Sequence, residues 1–348
     1  MPVRVNVADF LSYSDSWPVL DVRAPLEYRH GHIPAALMFP LFSDEERAVV
    51  GTLYHQQGKD DAVAGGMKIV GPRMHEYVEK ATLLAPEKKI RIYCWRGGMR
   101  SASVAFLLET AGFTVVLLEN GYKAYRQYVR ESFTDDRDFI ILGGYTGSGK
   151  TEILHKLSEE GQQVLDLEGH ANHKGSIFGG IGQDEQPTNE MFENAVHADW
   201  MRFNRIQPFW IEDESYEIGR ISLPNPLFAR IREGELIKLV IPAEVRAENL
   251  AEEYGKCPMQ LLEDAFLRIQ KRLGNELTQK AIMALQSKDY FSSALISLQY
   301  YDKAYDYGLK RRDKAKITIL ESATTNVDTN TKLIKDHLDN EYRKQGSS

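Results

Sequence analysis

The sequence predicts an α/β protein of two domains, each built on a mostly parallel β-sheet. Its 348 residues are enough for about two domains with separate cores. Short apolar runs alternate with helical stretches through the first part of the chain, up to Tyr128. A continuous apolar run at residues 139–142 then leads into a glycine-rich loop, and further strands and helices alternate after it.

Composition and charge narrow the class of protein. Hydrophobic residues make up 43% and charged residues 27%, as in ordinary globular proteins. No apolar run approaches the roughly 20 residues of a membrane span, and residues 1–10 lack a signal-peptide pattern, so we expect a cytoplasmic protein with no membrane partner. The net charge of −7 argues against nucleic-acid binding over the whole surface. Residues 268–316 nevertheless hold eleven Lys and Arg against five Asp and Glu, which predicts a local contact for a polyanion.

In the first domain, residues 19–23 predict a strand that ends in charge, and residues 25–28 begin a short helix. Residues 89–93 alternate as a strand does, and residues 102–108 predict a helix. A lone cysteine therefore lies on a tight loop between strand and helix. The loop residues are Cys94, Trp95, Arg96, Gly97, Gly98 and Arg100. Main-chain N–H groups, a helix N-terminus and two arginines would form an anion site there that favours a thiolate.

The chain has only two cysteines, which argues against a disulfide framework or a cysteine-based metal site. Cys257 precedes Pro258 in a helical region and is interpreted as a small packing residue. Cys94 is instead predicted to act as a nucleophile that attacks, or carries, a group attached to phosphate, sulfate or sulfur.

Three segments of this domain resemble rhodanese domains. Residues 21–35, with Asp21 and Arg23, match the opening motif, Cys94 falls where the persulfide-forming cysteine lies, and residues 118–125 match the closing segment. The resemblance covers about residues 3–130.

The cysteine loop departs from the rhodanese pattern in its length. Five residues separate Cys94 from Arg100, which is the spacing of cysteine phosphatases. Three interpretations stay open: a phosphatase loop, a loop widened for a phosphate-like donor, or a structural cysteine in a domain without activity.

Residues 131–137 are polar and lack periodicity, so we predict a linker there. The linker separates a rhodanese-like domain at 1–135 from a second domain at 136–348.

Residues 144–151 fit the phosphate-binding P-loop, Gly-x-x-x-x-Gly-Lys-Thr, between a strand and a helix. The predicted diphosphate-binding residues are Gly144, Thr146, Gly147, Ser148, Gly149, Lys150 and Thr151. In this motif the glycines let N–H groups surround a diphosphate, the lysine neutralises its terminal oxygens, and the threonine can ligate Mg²⁺.

Apolar runs at residues 164–168, 208–214, 236–241 and 317–320 predict the other strands of a doubly wound P-loop sheet. Acids at the ends of two of these strands would face the bound phosphate. We predict Asp213 for the metal side of the diphosphate site and Asp166 or Glu168 as a catalytic base. The alternative is that some of these acids cap the next helix.

Residues 243–310 are strongly helical and predict an insertion before the last strand. Tyrosines interleave there with basic residues, as on surfaces that stack unpaired bases and bind phosphates. The residues predicted to bind such a nucleic acid are Tyr300, Tyr301, Lys310, Arg311 and Arg312. The alternative is an amphipathic helix with half-buried tyrosines and a solvated basic end.

Residues 169–179 predict a loop over the phosphate site. The loop has two histidines but no cysteine or third histidine, so no metal site is predicted from it.

Taken together, the two domains resemble the tRNA 2-selenouridine synthase family. The resemblance rests on residues 94–98, 165–169, 173–179, 210–215 and 218–219, and it spans nearly the whole chain. It implies an enzyme that replaces sulfur by selenium in the wobble 2-thiouridine of certain tRNAs. It further implies selenophosphate as selenium donor, an S-geranylated intermediate made from geranyl diphosphate, and no tightly bound cofactor. Cys94 would then handle selenium, with Arg96 and Arg100 at the phosphate end of the donor.

Two other classes of function stay open. One is a rhodanese-type sulfurtransferase or cysteine phosphatase fused to a nucleotide-dependent, kinase-like domain. The other is a nucleotide-gated binding module without catalysis.

Overall fold

A computed structural model describes residues 2–14 and 16–345, with side chains described as far as Asn340. The chain forms two compact units. The first contains the residues up to Phe133 together with Glu193–His197, and the second contains Thr134–Phe192 and the residues from Ala198 onward. Within the described residues, no helix is both long and apolar enough to cross a membrane.

The first unit is built on a five-stranded sheet in which every pair of neighbouring strands is parallel, in the order β1-β5-β4-β2-β3. Its strands are β1 Val3–Val5, β2 Val19–Asp21, β3 Leu37–Met38, β4 Lys89–Tyr93 and β5 Thr114–Leu118. In the described part of this unit, seven α-helices accompany the sheet. They are α1 Val7–Ser12, α2 Pro25–His30, α3 Asp44–Gln57, α4 Lys59–Val70, α5 Met74–Leu84, α6 Met99–Thr110 and α7 Gly121–Ser132. The central strands β4 and β5 are almost fully buried, so they carry the core and fix the loops that follow them.

The second unit has a five-stranded parallel sheet in the order β12-β11-β6-β8-β7 and a separate antiparallel pair, β9 with β10. Its strands are β6 Phe139–Gly144, β7 Val164–Leu165, β8 Phe209–Glu212, β9 Glu217–Ile218, β10 Ile221–Ser222, β11 Leu236–Val240 and β12 Ile317–Glu321. Strand β6 lies at the centre, between β11 and β8. The loop after β6 is therefore flanked by the carboxyl ends of two neighbouring strands, where ligands bind in such sheets.

From residue 134 to residue 345, the structure describes nine further α-helices. They are α8 Lys150–Glu159, α9 Leu167–Ala171, α10 Asn189–Arg202, α11 Asn225–Glu233, α12 Ala243–Tyr254, α13 Met259–Leu273, α14 Asn275–Gln286, α15 Tyr290–Leu309 and α16 Val327–Gln345. Helices α12 to α15 are the predicted insertion between β11 and β12, and they share an apolar core. The α/β class with a parallel sheet in each unit is confirmed. The segment predicted as one strand at 164–168 differs, because Asp166 ends the strand and begins α9.

Candidate functional site

Cys94 directly follows the buried strand β4 and is itself only 3% exposed. Its Sγ atom lies 3.2 Å from the Ser101 hydroxyl, which in turn lies 3.1 Å from the carbonyl oxygen of Gly98. Ser101 is in the first turn of α6, so the start of this helix faces the sulfur. The predicted cysteine loop between strand and helix is present, with one hydroxyl in contact with the thiol.

The cysteine loop is bound to the start of α7. The N–H of Tyr122 donates to the Cys94 carbonyl at 2.8 Å, and the N–H of Lys123 donates to the Trp95 carbonyl at 3.0 Å. Gly121 has a φ of +59°, and a Cβ atom there would lie 2.2 Å from the Cys94 carbonyl oxygen. Only glycine fits this close approach. The closing segment of the domain thus fixes the main chain of the cysteine loop.

The two loop arginines differ. Arg100 forms a two-pronged ion pair with Glu27, at 2.6 and 3.1 Å, whereas Arg96 is exposed. Burial tends to raise the pKa of Glu27, but hydrogen bonding and the charge of Arg100 hold it below its ordinary value. A charged Arg100–Glu27 pair leaves Arg96 and the loop N–H groups as the positive groups with no carboxylate partner among those described. An anion that binds at Arg100 has to share it with Glu27.

The P-loop, residues 144–151, lines a cavity of about 650 Å³ in the second unit. Gly147 and Gly149 have φ values of +80° and +77°, which permit the tight curve of the main chain. The side chains of Lys150 and Thr151 begin α8 and line the same cavity. A helix N-terminus with successive N–H groups and a lysine is an anion-binding arrangement, as predicted for a diphosphate.

Three buried carboxylates lie beside Thr151. Oxygens of Glu168, Glu212 and Glu214 all lie within 4.8 Å of one another. The Thr151 hydroxyl is 2.9 Å from both a Glu168 oxygen and a Glu212 oxygen, but its single proton serves only one of them. The second oxygen of Glu212 is buried without a hydrogen-bond partner within the described residues. We call these three residues the acidic cluster.

Burial and mutual repulsion shift the ionisation of the acidic cluster. Burial raises the pKa of Glu168, although the Lys150 charge partly offsets this. Burial, followed by the charges of the two neighbours, raises the pKa of Glu212 well above its ordinary value. Burial and then the Glu168 charge raise the pKa of Glu214 to about 8. The cluster is therefore short of positive charge, which is the setting of a divalent cation site.

Asp213, predicted for the metal side, lines the same cavity but has basic partners of its own. Its carboxylate pairs with Arg312 at 2.6 Å and Arg232 at 3.0 Å and accepts a hydrogen bond from Tyr305 at 2.8 Å. Successive residues of an extended chain point to opposite sides, so Glu212 and Glu214 share the side facing Thr151 and Asp213 does not. Glu212, rather than Asp213, contacts the Thr151 hydroxyl. The sequence Glu-Asp-Glu at residues 212–214 carries the signal for this arrangement, because alternate residues of an extended chain share a side.

The two predicted bases also separate. Asp166 caps α9, since its carboxylate accepts a hydrogen bond from the Gly169 N–H at 2.7 Å, and it contacts the His155 imidazole at 3.1 Å. Glu168 belongs to the acidic cluster. Asp166 therefore has the helix-capping role of the alternative interpretation, and Glu168 lies beside Thr151 in the acidic cluster.

The segment between α9 and α10 starts with a glycine-rich loop, residues 172–182, that closes over the acidic cluster. Gly175 has a φ of +66°, and a Cβ atom there would lie 2.6 Å from a Glu168 oxygen. The loop also contributes Lys174, Ser176 and Phe178 to the wall of the cavity. Its position over the phosphate site agrees with the prediction from sequence. Residues 169–171, predicted as loop, are instead the last turn of α9.

The predicted tRNA-binding residues divide into two groups. Lys310 and Arg311 are exposed at the end of α15. Arg312 is only 5% exposed because it pairs with Asp213, so it does not fit an RNA contact. The Tyr301 hydroxyl accepts a hydrogen bond from the Ile177 N–H, and Tyr300 contacts Arg272; both tyrosines line the cavity. The half-buried tyrosines of the alternative interpretation describe this helix better.

Comparisons with known proteins match both domains of the chain. Residues 137–260 match the family described as the tRNA 2-selenouridine synthase AAA domain, and residues 7–128 match the rhodanese-like domain. A tRNA 2-selenouridine synthase of Shewanella woodyi is 34% identical over 86% of this chain and 90% of the relative. One from Sulfurovum sp. is 36% identical over 84% of this chain and 89% of the relative. With both domains and nearly all of the relatives' length matched, the chain belongs to the tRNA 2-selenouridine synthase family.

Proposed function

We propose that this protein replaces the sulfur of wobble 2-thiouridine in tRNA by selenium. Selenophosphate donates the selenium, and the reaction passes through S-geranyl-2-thiouridine made from geranyl diphosphate. One observation carries the proposal. This member of the family has two loops suited to anions but different in chemistry: the cysteine loop, and the P-loop beside the acidic cluster. Two such sites suit a reaction with two phosphorylated donors.

The P-loop is the site proposed for geranyl diphosphate. Attack of the thiocarbonyl sulfur on the geranyl carbon releases diphosphate, so charge builds up on the leaving oxygens. The Lys150 ammonium and the N–H groups at the start of α8 are placed to stabilise that charge. Hydrolysis of ATP is not needed for this role.

Mg²⁺ is the cation proposed for the acidic cluster. The fit rests on the buried, unpartnered Glu212 oxygen and on hard oxygen ligands from three carboxylates and the Thr151 hydroxyl. When bound, the ion would neutralise the negative charge on the diphosphate oxygens. Without it, the three carboxylates repel one another and the ligand.

Cys94 is the residue proposed to handle selenium. Geranylation turns the sulfur of the base into a thiol leaving group, which a selenium nucleophile can displace. The Cys94 thiolate attacks the phosphorus of selenophosphate, so that an S–P bond forms as the P–Se bond breaks, while Arg96 and the loop N–H groups bind the phosphate. The released selenide displaces the geranyl thiol from the base, and water then cleaves the S–P bond to give phosphate and the free thiol. The contact with Ser101 orients the sulfur.

A test of the cysteine role uses thiolated tRNA, geranyl diphosphate and selenophosphate, with nucleoside mass analysis. Cys94→Ala should still form S-geranyl-2-thiouridine but no 2-selenouridine. Cys257→Ala, the matched control, should form both, because Cys257 packs within the helical insertion. Normal selenation by Cys94→Ala would refute the role of Cys94.

The P-loop role has its own test. Lys150→Ala should lower the rate of geranylation by a factor of at least about 100, the usual loss when a charge-stabilising donor is removed. Pre-geranylated tRNA should then restore selenation by this variant. Unchanged geranyl transfer would rule out the P-loop as the diphosphate site.

The second candidate is a sulfurtransferase or cysteine phosphatase joined to a kinase-like domain. The loop spacing between Cys94 and Arg100 favours the phosphatase form. The same assay distinguishes it, since turnover of ATP or of a phosphate ester in the absence of tRNA would support this candidate.

A further inference from the structure

Helix α15 carries two tyrosines whose hydroxyls contact the main chain of the loops around the diphosphate cavity. The Tyr305 hydroxyl accepts a hydrogen bond from the N–H of Gly144, at the start of the P-loop, at 3.1 Å. The Tyr301 hydroxyl accepts one from the N–H of Ile177, in the glycine-rich loop, at 3.0 Å. Residues four apart lie on the same side of a helix, so one side of α15 contacts both loops.

The Tyr305 hydroxyl is fixed from two directions. It accepts from Gly144 and donates its proton to Asp213 at 2.8 Å. Asp213 is itself held by Arg312 and Arg232. A hydroxyl with both roles filled has one orientation, so this contact defines where the P-loop begins.

The strand that enters the P-loop leaves room for this hydroxyl. A Cβ atom at Gly143 would lie 2.5 Å from the Tyr305 oxygen and 2.6 Å from the Cδ1 atom of Leu236. Alanine at position 143 would therefore displace either the tyrosine or the strand. This glycine gives a second way to disturb the contact without changing Tyr305.

Helices α12 and α15 also contact each of the next three P-loop residues. Tyr145 donates to Asp306 at 2.8 Å, Arg246 donates to the Thr146 carbonyl at 3.1 Å, and Asn249 donates to the Gly147 carbonyl at 3.4 Å. The insertion thus contacts residues 144–147 one after another. These contacts precede Lys150 and Thr151, the residues that begin α8.

We propose that Tyr305 and Tyr301 are positioning residues, whose hydroxyls hold the P-loop and the glycine-rich loop in the arrangement that binds diphosphate. The inference rests on the proposed function, since it takes a diphosphate as the ligand of the P-loop. Glycine-rich loops lose much conformational entropy when they order around a ligand. Loops ordered in advance bind with less of that cost, which favours affinity for the donor.

The experiment uses the full-length protein with Mg²⁺ and inorganic pyrophosphate, measured by calorimetry. Tyr305→Phe and Tyr301→Phe keep the ring and remove only the hydroxyl. Each should weaken pyrophosphate binding about tenfold and raise the KM for geranyl diphosphate. The kcat and the KM for thiolated tRNA should change less than twofold. Tyr307→Phe is the matched control, because Tyr307 is on the same helix but 62% exposed and outside the cavity.

Three outcomes would overturn the proposal. Wild-type affinity for pyrophosphate in both phenylalanine variants would show that the hydroxyls do not position the loops. A loss in Tyr305→Ala but not in Tyr305→Phe would give the role to the aromatic ring. Absence of pyrophosphate binding by the wild-type protein would remove the proposed function as well, which separates that failure from the other two.

Discussion

Asp213 and Glu212 are neighbours in sequence with opposite environments. Asp213 is held by two arginines, and Glu212 faces two other carboxylates. Asp213→Asn should destabilise the fold by about 3–5 kcal/mol, because it leaves buried arginine charge without a partner. Glu212→Gln should leave stability equal or higher, since it removes repulsion, but should abolish Mg²⁺-dependent binding of pyrophosphate. Urea unfolding and calorimetry measure the two effects, and the reverse pattern would restore Asp213 as the metal-side residue.

Glu214 should give the metal-free protein a distinctive pH dependence. Its pKa is about 8 in the folded protein, against an ordinary value of 4.5. Between these values the folded state holds more protons than the unfolded state. The free energy of unfolding therefore falls as pH rises through this interval, the opposite of an ion-paired carboxylate.

Melting temperatures in EDTA from pH 5 to pH 8.5 would measure this decline. Glu214→Gln should make it shallower, while Glu168 and Glu212 account for what remains. Glu253→Gln is the control, because Glu253 lines the same cavity but pairs with exposed Lys174. An unchanged slope in Glu214→Gln would contradict the raised pKa of Glu214.

At the scale of elements, α9 gives Asp166, one of the two predicted bases, a structural role as a helix cap. Only Val164 and Leu165 form the strand, and Asp166 then caps a five-residue helix that carries Glu168. Asp166→Asn should retain most activity, because an amide oxygen can still cap the helix, whereas Asp166→Ala should cost about 1 kcal/mol of stability and misplace Glu168. Steady-state rates and thermal melts would distinguish these outcomes. Inactivity of Asp166→Asn with a normal melt would support the predicted catalytic base.

The elements that carry a local signal were predictable. The P-loop needs glycines, Lys150 and Thr151 at fixed spacing, and the strand before it is apolar throughout, so residues 139–151 specify their own structure. The side to which a buried strand-end acid points is not local, because it depends on register between β6 and β8. The tyrosines of α15 show the same limit. Sequence places Tyr301 and Tyr305 on one side of a helix, but only tertiary packing decides whether that side faces RNA or the P-loop.

At the scale of the molecule, a domain boundary near residue 135 leaves part of the first unit out. Five residues of α10, Glu193–His197, belong to this unit. Asn194 is fully buried there and donates hydrogen bonds to the His32 carbonyl and to the Tyr122 hydroxyl, both at 2.8 Å. Tyr122 lies beside Trp95 of the cysteine loop. The guanidinium carbon of Arg23 lies 3.8 Å from the centre of the Tyr122 ring, in a cation–π contact. A residue far along the chain therefore supports the setting of Cys94.

Asn194→Ala should weaken the first unit by about 2–4 kcal/mol, because at least two buried polar groups lose their partner at about 1–3 kcal/mol each. Hydrogen exchange should quicken in strands β4 and β5 and in the cysteine loop, and selenation should fall while geranylation persists. Met201→Ala, on the same helix but 39% exposed, should change stability by less than about 0.5 kcal/mol. Equal exchange in β4 and β5 for both variants would mean that residues up to Phe133 hold the cysteine loop without help from α10. Faster exchange in Asn194→Ala alone would make the selenium-handling unit a discontinuous one, so that an isolated fragment of residues 1–135 would lack part of its own core.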